Sequence, residues 1–187
     1  MRQLVPYALT YLLAIACAAG LATHSQAAEA PLQVRIGYLG YRPDPGPLLS
    51  NVIPEPSDAG LRGAQLAITD SNSTGRFLNQ SYSLESASVD SPEALLAAAQ
   101  AQHAQGLRLF VINAPAASLR QLSAALPDSL LFNAGSADDR LRSTECLPNV
   151  LHSLPSRAML ADALGQFLVV RKWQRALLIV GPTADDQ

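Results

Sequence analysis

Lysine is almost missing from this chain: Lys172 is the only one among 13 basic residues, which face 15 acidic ones across 187 positions. No basic run exists that could neutralise a row of phosphates, so a nucleic-acid surface is excluded. Cysteine is nearly as scarce. Cys17 and Cys146 are the two present, too few for a disulfide framework. The signatures of common enzymes are absent as well: there is no phosphate-cradling G-x-x-x-x-G-K-[ST], no G-x-S-x-G nucleophile elbow and no H-E-x-x-H. Gly37-Tyr38-Leu39-Gly40 lacks the third glycine and the directly following helix of a dinucleotide fingerprint. Beyond the first 27 residues the histidines are His103 and His152, and neither has another metal-type ligand at zinc spacing. No catalytic residue, metal site or cofactor is implied.

What is present begins at the amino terminus. Arg2 precedes an uncharged stretch from Leu4 to Ala22, and small residues follow in Ser25-Gln26-Ala27-Ala28. That order fits a signal peptide over residues 1–27, cleaved after Ala27 or Ala28, because signal peptidase requires small side chains beside the scissile bond. A cut after Ala30 also fits the spacing but leaves Pro31 next to it. A membrane anchor is the competing reading of an apolar run this long, and Pro6, Thr10 and the alanine-rich tail speak against it. A lipid-modified Cys17 would need a leucine three places upstream, which is absent. Export to the periplasm follows. Loss of Arg2 with the leader leaves 12 basic against 15 acidic residues, a formal charge of −3. The remaining 160 residues suffice for one ordinary core. Cys146 is then a lone thiol, either buried and inert or paired with a residue outside this stretch.

From Gln33 onward short apolar runs alternate with helical patterns, which predicts an α/β fold with a parallel sheet. Strands are expected at Val34–Leu39, Tyr82–Val89, Leu107–Ile112, Leu130–Asn133, Asn149–His152 and Ala176–Val180. The runs at 107–112 and 176–180 are apolar almost throughout, as in strands buried on both faces, so Leu109, Val111, Leu131, Leu178 and Val180 belong in the interior. Leu61, Ala64, Ala67 and Ile68 share one helical stripe. Ser91-Pro92-Glu93 reads as a helix start, with a capping side chain, a first-turn proline and an early acid. Ala116 to Leu126 forms a third helix, ended by Pro127. Ser156 caps a fourth, whose Leu160, Ala163, Leu164, Phe167 and Leu168 form a core-facing stripe. Gly40 to Asp58, with five prolines, is a long loop, functional or a surface insertion. Asp138-Asp139 reads as a solvated turn and helix cap.

Open α/β sheets bind ligands beyond the carboxyl ends of their strands, where loops diverge and helix amino termini present free amides. Residues 113–118 and 133–136 occupy that position, and the candidate ligand-binding residues follow from it: Ser118, Asn133, Gly135, Ser136 and Ala137. Ser118 and Ser136 have the alternative of only capping helices.

These residues also carry a resemblance. Residues 60–68, Asp90-Ser91-Pro92-Glu93-Ala94, Asn149-Val150-Leu151-His152 and the stretch from Ser156 through Trp173 to Val180 resemble the type I periplasmic solute-binding proteins of ABC transporters, the branched-chain amino acid binding group. Asp138-Asp139-Arg140-Leu141-Arg142, Cys146 and residues 152–164 resemble most closely the branch associated with pyrroloquinoline-quinone-dependent alcohol oxidation systems. The resemblance implies a Rossmann-like parallel sheet, a small polar ligand held between two lobes, and an inner-membrane permease as partner. It divides the chain into a signal peptide (1–27), a first lobe (28–153) and the start of a truncated second lobe (154–187). Ser118 matches the group's serine after the third strand, and Gly135, Ser136 and Ala137 match its alanine-alanine-threonine segment. Ala137 stands where the group has the threonine that grips an amino-acid ammonium, and an alanine offers no hydroxyl. A small exported α/β enzyme of unrecognised chemistry and a nonfunctional remnant remain as alternatives. Intact-mass measurement of the exported protein should give a chain starting at Ala28 or Glu29; a soluble cytoplasmic form retaining Met1 would refute export.

Overall fold

The computed structural model describes residues 30–47 and 53–181. The expected signal peptide and its cleavage site lie outside them, as does part of the proline-rich loop. Five strands, β1 (Leu32–Tyr41), β2 (Gln80–Val89), β3 (Leu109–Asn113), β4 (Leu130–Asn133) and β5 (Val150–His152), form one sheet. Its order is β2-β1-β3-β4-β5, and each neighbouring pair is parallel. The helices are α1 (Leu61–Gly75), α2 (Pro92–Ala104), α3 (Ala116–Ala125) and α4 (Arg157–Val170). This is the expected α/β class. β1 is longer than its apolar run because its ladder with β2 continues over ten residues, from Leu32 opposite Gln80 to Tyr41 opposite Val89.

Local signals act where the sequence places them. The Ser91 hydroxyl accepts from the Ala94 amide at 3.2 Å and Pro92 opens α2. The Ser156 hydroxyl accepts from the Met159 amide at 3.3 Å at the start of α4. In each case a short side chain satisfies an amide that the first turn leaves without a partner. Asn72 on α1 has a different task. Its amide donates to the Tyr82 carbonyl and accepts from the Tyr82 N–H, both at 2.8 Å. That side chain occupies the outer edge of β2, where an unpaired strand would otherwise offer a docking template.

The register stacks residues in rows across the sheet. Gly37, Phe110, Leu131 and Val150 make one row, and Leu39, Ile112, Asn133 and His152 the next. Phe110, Leu131, Leu39 and Ile112 are fully buried, together with Leu95 and Ala99 of α2 and Leu119 and Leu122 of α3. Gly37 is required in the first row. A Cβ there would lie 2.6 Å from the Phe110 ring and 2.5 Å from the Gln102 side chain, so the ring occupies the space that any larger residue would fill.

Three expectations are corrected. β3 is not buried on both faces: Phe110 and Ile112 are, whereas Leu109 and Val111 are half-buried. The opposite face receives α1, which lays a stripe of Leu61, Ala64, Ile68 and Asn72 toward the sheet at only partial burial, with Ala67 exposed. Residues 176–180 form no strand, and Leu178 (83% exposed) and Val180 (49%) are not interior. Among the described residues nothing pairs with that segment, and a parallel strand exists only through its neighbour's ladder. The α4 stripe is likewise uncovered. Leu160, Leu164 and Phe167 are all exposed, and Phe167 meets only Trp173, edge to face at 5.9 Å, and the Arg171 guanidinium at 5.6 Å.

Truncating Phe110 to alanine should cost about 3–5 kcal/mol, and Leu178→Ala less than about 0.5 kcal/mol. Urea unfolding followed by circular dichroism measures both, and comparable losses would show that residues 176–180 are packed in solution.

Candidate functional site

Because all five strands run the same way, their carboxyl ends gather at one sheet edge. The order β2-β1-β3 places β1 between a strand reached in one direction and a strand reached in the other, which opens a crevice between the outgoing loops. A cavity of about 550 Å³ lies there. Tyr41 and Pro43 line it from the end of β1, residues 113–117 from the end of β3, and residues 135–138 from the end of β4. Arg120, Arg140 and Arg157 complete it.

The β3 side contributes a helix start. Pro115 precedes α3 and no side chain caps its first turn, so the amides of Ala116 and Ala117 reach the cavity without a side-chain acceptor, at the positive end of the helix dipole. The β4 side is a tight loop organised by one buried amide. Asn133 has no solvent exposure. Its Oδ1 accepts from the amides of Gly135 (3.2 Å) and Ser136 (2.9 Å), while its Nδ2 donates to the Ser136 carbonyl (2.7 Å) and to Nδ1 of His152 (2.9 Å). Gly135 then passes against the β3 loop so closely that a Cβ would stand 2.4 Å from the Ala114 nitrogen.

The cavity's charge is unbalanced. Three arginines line it against one carboxylate, Asp138. Both oxygens of Asp138 are engaged: the Arg140 amide donates at 3.0 Å, and the Arg140 guanidinium at 3.1 Å through Nε and 2.7 Å through Nη2. Those bonds, the guanidinium's first, hold the Asp138 carboxyl down at about 2. Arg120 reaches Glu145 at 2.5 Å and Asp138 at 4.0 Å. Asp138 also caps the short 3₁₀ turn Asp139–Arg142, which agrees with the sequence reading of a cap, but its side chain is buried and not solvated as that reading expected. Desolvation, reinforced by the nearby positive charge of Arg142, holds His152 below the ordinary imidazole range.

Of the five residues proposed from the sequence, Gly135, Ser136 and Ala137 line the cavity, and Ser118 and Asn133 do not. Ser118 is buried in the first turn of α3. Asn133 sits beneath the wall, its amide committed to the loop and to His152. The arginines were not foreseen. Arg120 had a usable signal, since it follows Ala116 by four residues and therefore shares its helix face. Cys146 is exposed, not buried. Among the described residues no group of three acidic, histidine or cysteine side chains could hold a metal ion, and no helix is long and apolar enough to cross a membrane.

No protein-family model and no curated protein matches the chain. Among solved structures it is similar to the ABC transporter substrate-binding protein from Desulfitobacterium hafniense in complex with Leu, with a TM-score of 0.60 and 16% identity. The match covers 83% of this chain and 44% of that one, so the chain spans less than half of that protein's length. The likeness shows the fold alone: an α/β architecture built on a five-stranded parallel sheet, shared with part of that protein.

Asp138 supplies a prediction with a definite sign. Its carboxyl titrates at about 2 in the fold against an ordinary 3.8, so its pairing stabilises the fold above about pH 4 and is lost as the pH falls from there toward about 2. Because the Arg140 side chain is 60% exposed, solvent screening holds the gain to about 1 kcal/mol. Asp138→Asn should lower stability by that amount near neutrality and flatten the acid limb of the stability profile; an unchanged acid limb would refute the assignment.

Proposed function

We propose that this chain is a ligand-binding component of an ABC transporter, exported to the periplasm, where it holds a small polar solute and delivers it to an inner-membrane permease. The observation that carries the reading is the cavity itself. It lies at the carboxyl edge of a substrate-binding-protein sheet, walled by the start of α3 on one side and by Gly135–Ala137 on the other. Residues 28–153 supply the first wall of a two-lobe clamp and residues 154–187 open the second lobe, which gives the uncovered apolar face of α4 a partner. The resemblance to the branch associated with pyrroloquinoline-quinone-dependent alcohol oxidation points to a solute connected with that chemistry.

The site's own chemistry narrows the solute further. Ala137 offers no hydroxyl to an ammonium group, and the one lining carboxylate is already saturated by Arg140. The first turn of α3, which no side chain caps, favours a negative group instead, because it is the positive end of the helix dipole. A small carboxylate therefore fits better than an amino acid.

One wall alone supplies a few hydrogen bonds, each contributing about 0.5–1.5 kcal/mol net, so affinity for the chain by itself should be about millimolar or weaker. Titration of the isotope-labelled chain with short carboxylates, amino acids, alcohols and aldehydes tests this by nuclear magnetic resonance. Carboxylates should shift the amides of Ala116, Ala117 and residues 135–137 saturably, with no compound consumed. Conversion of any compound would show an enzyme, and no response of those amides to any of them would overturn the binding role.

A further inference from the structure

Behind the cavity wall lies a part-buried contact that the binding role does not use. Asn133 and His152 stand opposite each other in the register of β4 and β5. They end the row that begins with the fully buried Leu39 and Ile112. The sense of their hydrogen bond is fixed by the rest of the network. Oδ1 of Asn133 accepts from two backbone amides, and Nδ2 donates to the Ser136 carbonyl. The side chain cannot be turned over without setting donor against donor at Gly135 and Ser136, and acceptor against acceptor at the Ser136 carbonyl. Nδ2 is therefore a donor toward His152, and Nδ1 of the ring, 2.9 Å away, must be bare to accept it. The ring's proton then resides on the other nitrogen, and the Leu141 backbone lies near enough to act on the ring's ionisation.

We propose that His152 is a positioning residue for the cavity wall: the neutral ring anchors Asn133 and so holds Gly135–Ala137 in place, and a second ring proton expels the Asn133 amide and releases the wall. A proton on Nδ1 would point at the N–H of Nδ2, so the contact becomes donor against donor, and the fully buried Asn133 amide is left without an acceptor for that N–H. Only the Leu141 backbone favours that charge, and desolvation and Arg142 outweigh it. β4 presents the neutral amide of Asn133, the 139–142 turn presents the Leu141 carbonyl and the cationic Arg142, and no carboxylate acts on the ring. Arg142 is itself committed: its Nη2 donates to the Leu154 carbonyl, and its Nη1 is buried without a partner. The wall is also tied at its ends, where the Arg157 amide donates to the Ala137 carbonyl at 3.0 Å and the Ala134 amide to the Ile112 carbonyl at 2.8 Å, but its middle depends on Asn133. Beyond Asn133, the Gly135 amide and the Ser136 carbonyl have no other bond to the sheet among those formed by the described residues. The inference goes beyond the binding role and holds whatever solute the cavity takes.

The sign is set by the neutral form being the bound one. The ring resists protonation relative to its ordinary 6.5, so the brace is complete above that pH and is lost as the pH falls below it. The test reads the wall directly, without a ligand, on the full chain. The His152 ring signals and the amides of Gly135 and Ser136 are followed by nuclear magnetic resonance from about pH 7.5 to about pH 4.5, and amide exchange is compared with unstructured-peptide rates. The three sets of signals should share one midpoint, and protection of the Ser136 amide should fall on the order of tenfold across it. His152→Gln, which keeps an acceptor and cannot titrate, should abolish the pH response of both amides, and His103→Gln should leave it intact. The proposal is overturned if the amides stay protected while the ring titrates, if they move at a different midpoint, or if they respond in His152→Gln. Should that variant fail to fold, coincidence or separation of midpoints in the unaltered chain decides the matter.

Discussion

The parallel ladder is the constraint on which the rest of this molecule depends. An antiparallel sheet sends alternate loops to opposite ends, whereas a parallel sheet returns every crossover to the same starting edge and delivers every strand to the other. Tyr41, Asn113 and Asn133 close three neighbouring strands of this sheet. Their outgoing segments have to meet. A cavity at that edge is a consequence of topology before any residue is chosen to line it, and the choice of residues then decides what it takes. Here the choice is small backbone-exposing residues at 114–117 and 135–137, with arginines around them.

The register explains how polar atoms come to lie in line with the core. On the buried face of the sheet, Leu39 and Ile112 are followed by Asn133 and His152. An apolar pair at the last two positions would lengthen the core but leave the Gly135 and Ser136 amides without acceptors, at about 1–3 kcal/mol for each buried group. The asparagine meets that need with one side chain because an amide has both an acceptor and a donor, in fixed relation. The histidine answers its remaining donor. Stability at this point comes from satisfaction of the loop backbone, so the cavity wall and the core share one hydrogen-bond network.

Much of this was legible in the sequence. The apolar runs, the capping serines at 91 and 156 and the order of elements determine the sheet, because each is a local signal that tertiary packing did not override. The segments that line the cavity were found from their place after strands β3 and β4. What could not be read was which side chains of those segments turn toward the cavity. Asn133 and Gly135 are two residues apart, yet one serves the interior and the other the surface, and the difference is made by a turn whose hydrogen bonds come from the asparagine itself. Apolarity misled at the far end. Residues 176–180 and the α4 stripe have the composition of buried elements, but composition states only that burial would be favourable. Burial also requires a partner surface, and none of the described residues provides one.

The two reinforcements of the wall differ in physical kind, and acid separates them. On the solvent side Arg120, Asp138, Arg140 and Glu145 form a charged cluster in which Asp138 keeps its charge until about pH 2. It is screened by solvent and individually weak, and its Asp138–Arg140 bridge persists through mild acid. On the inner side the Asn133–His152 contact involves no charge, is part-buried with Asn133 itself fully enclosed, and fails once the ring takes a proton. A wall held from inside by a neutral imidazole has a release point set by the histidine, within the range of pH that a compartment open to its surroundings experiences. The outer cluster then keeps the 138–145 segment folded while Gly135–Ala137 loosens, so acid would open the cavity locally without unfolding the sheet that carries it.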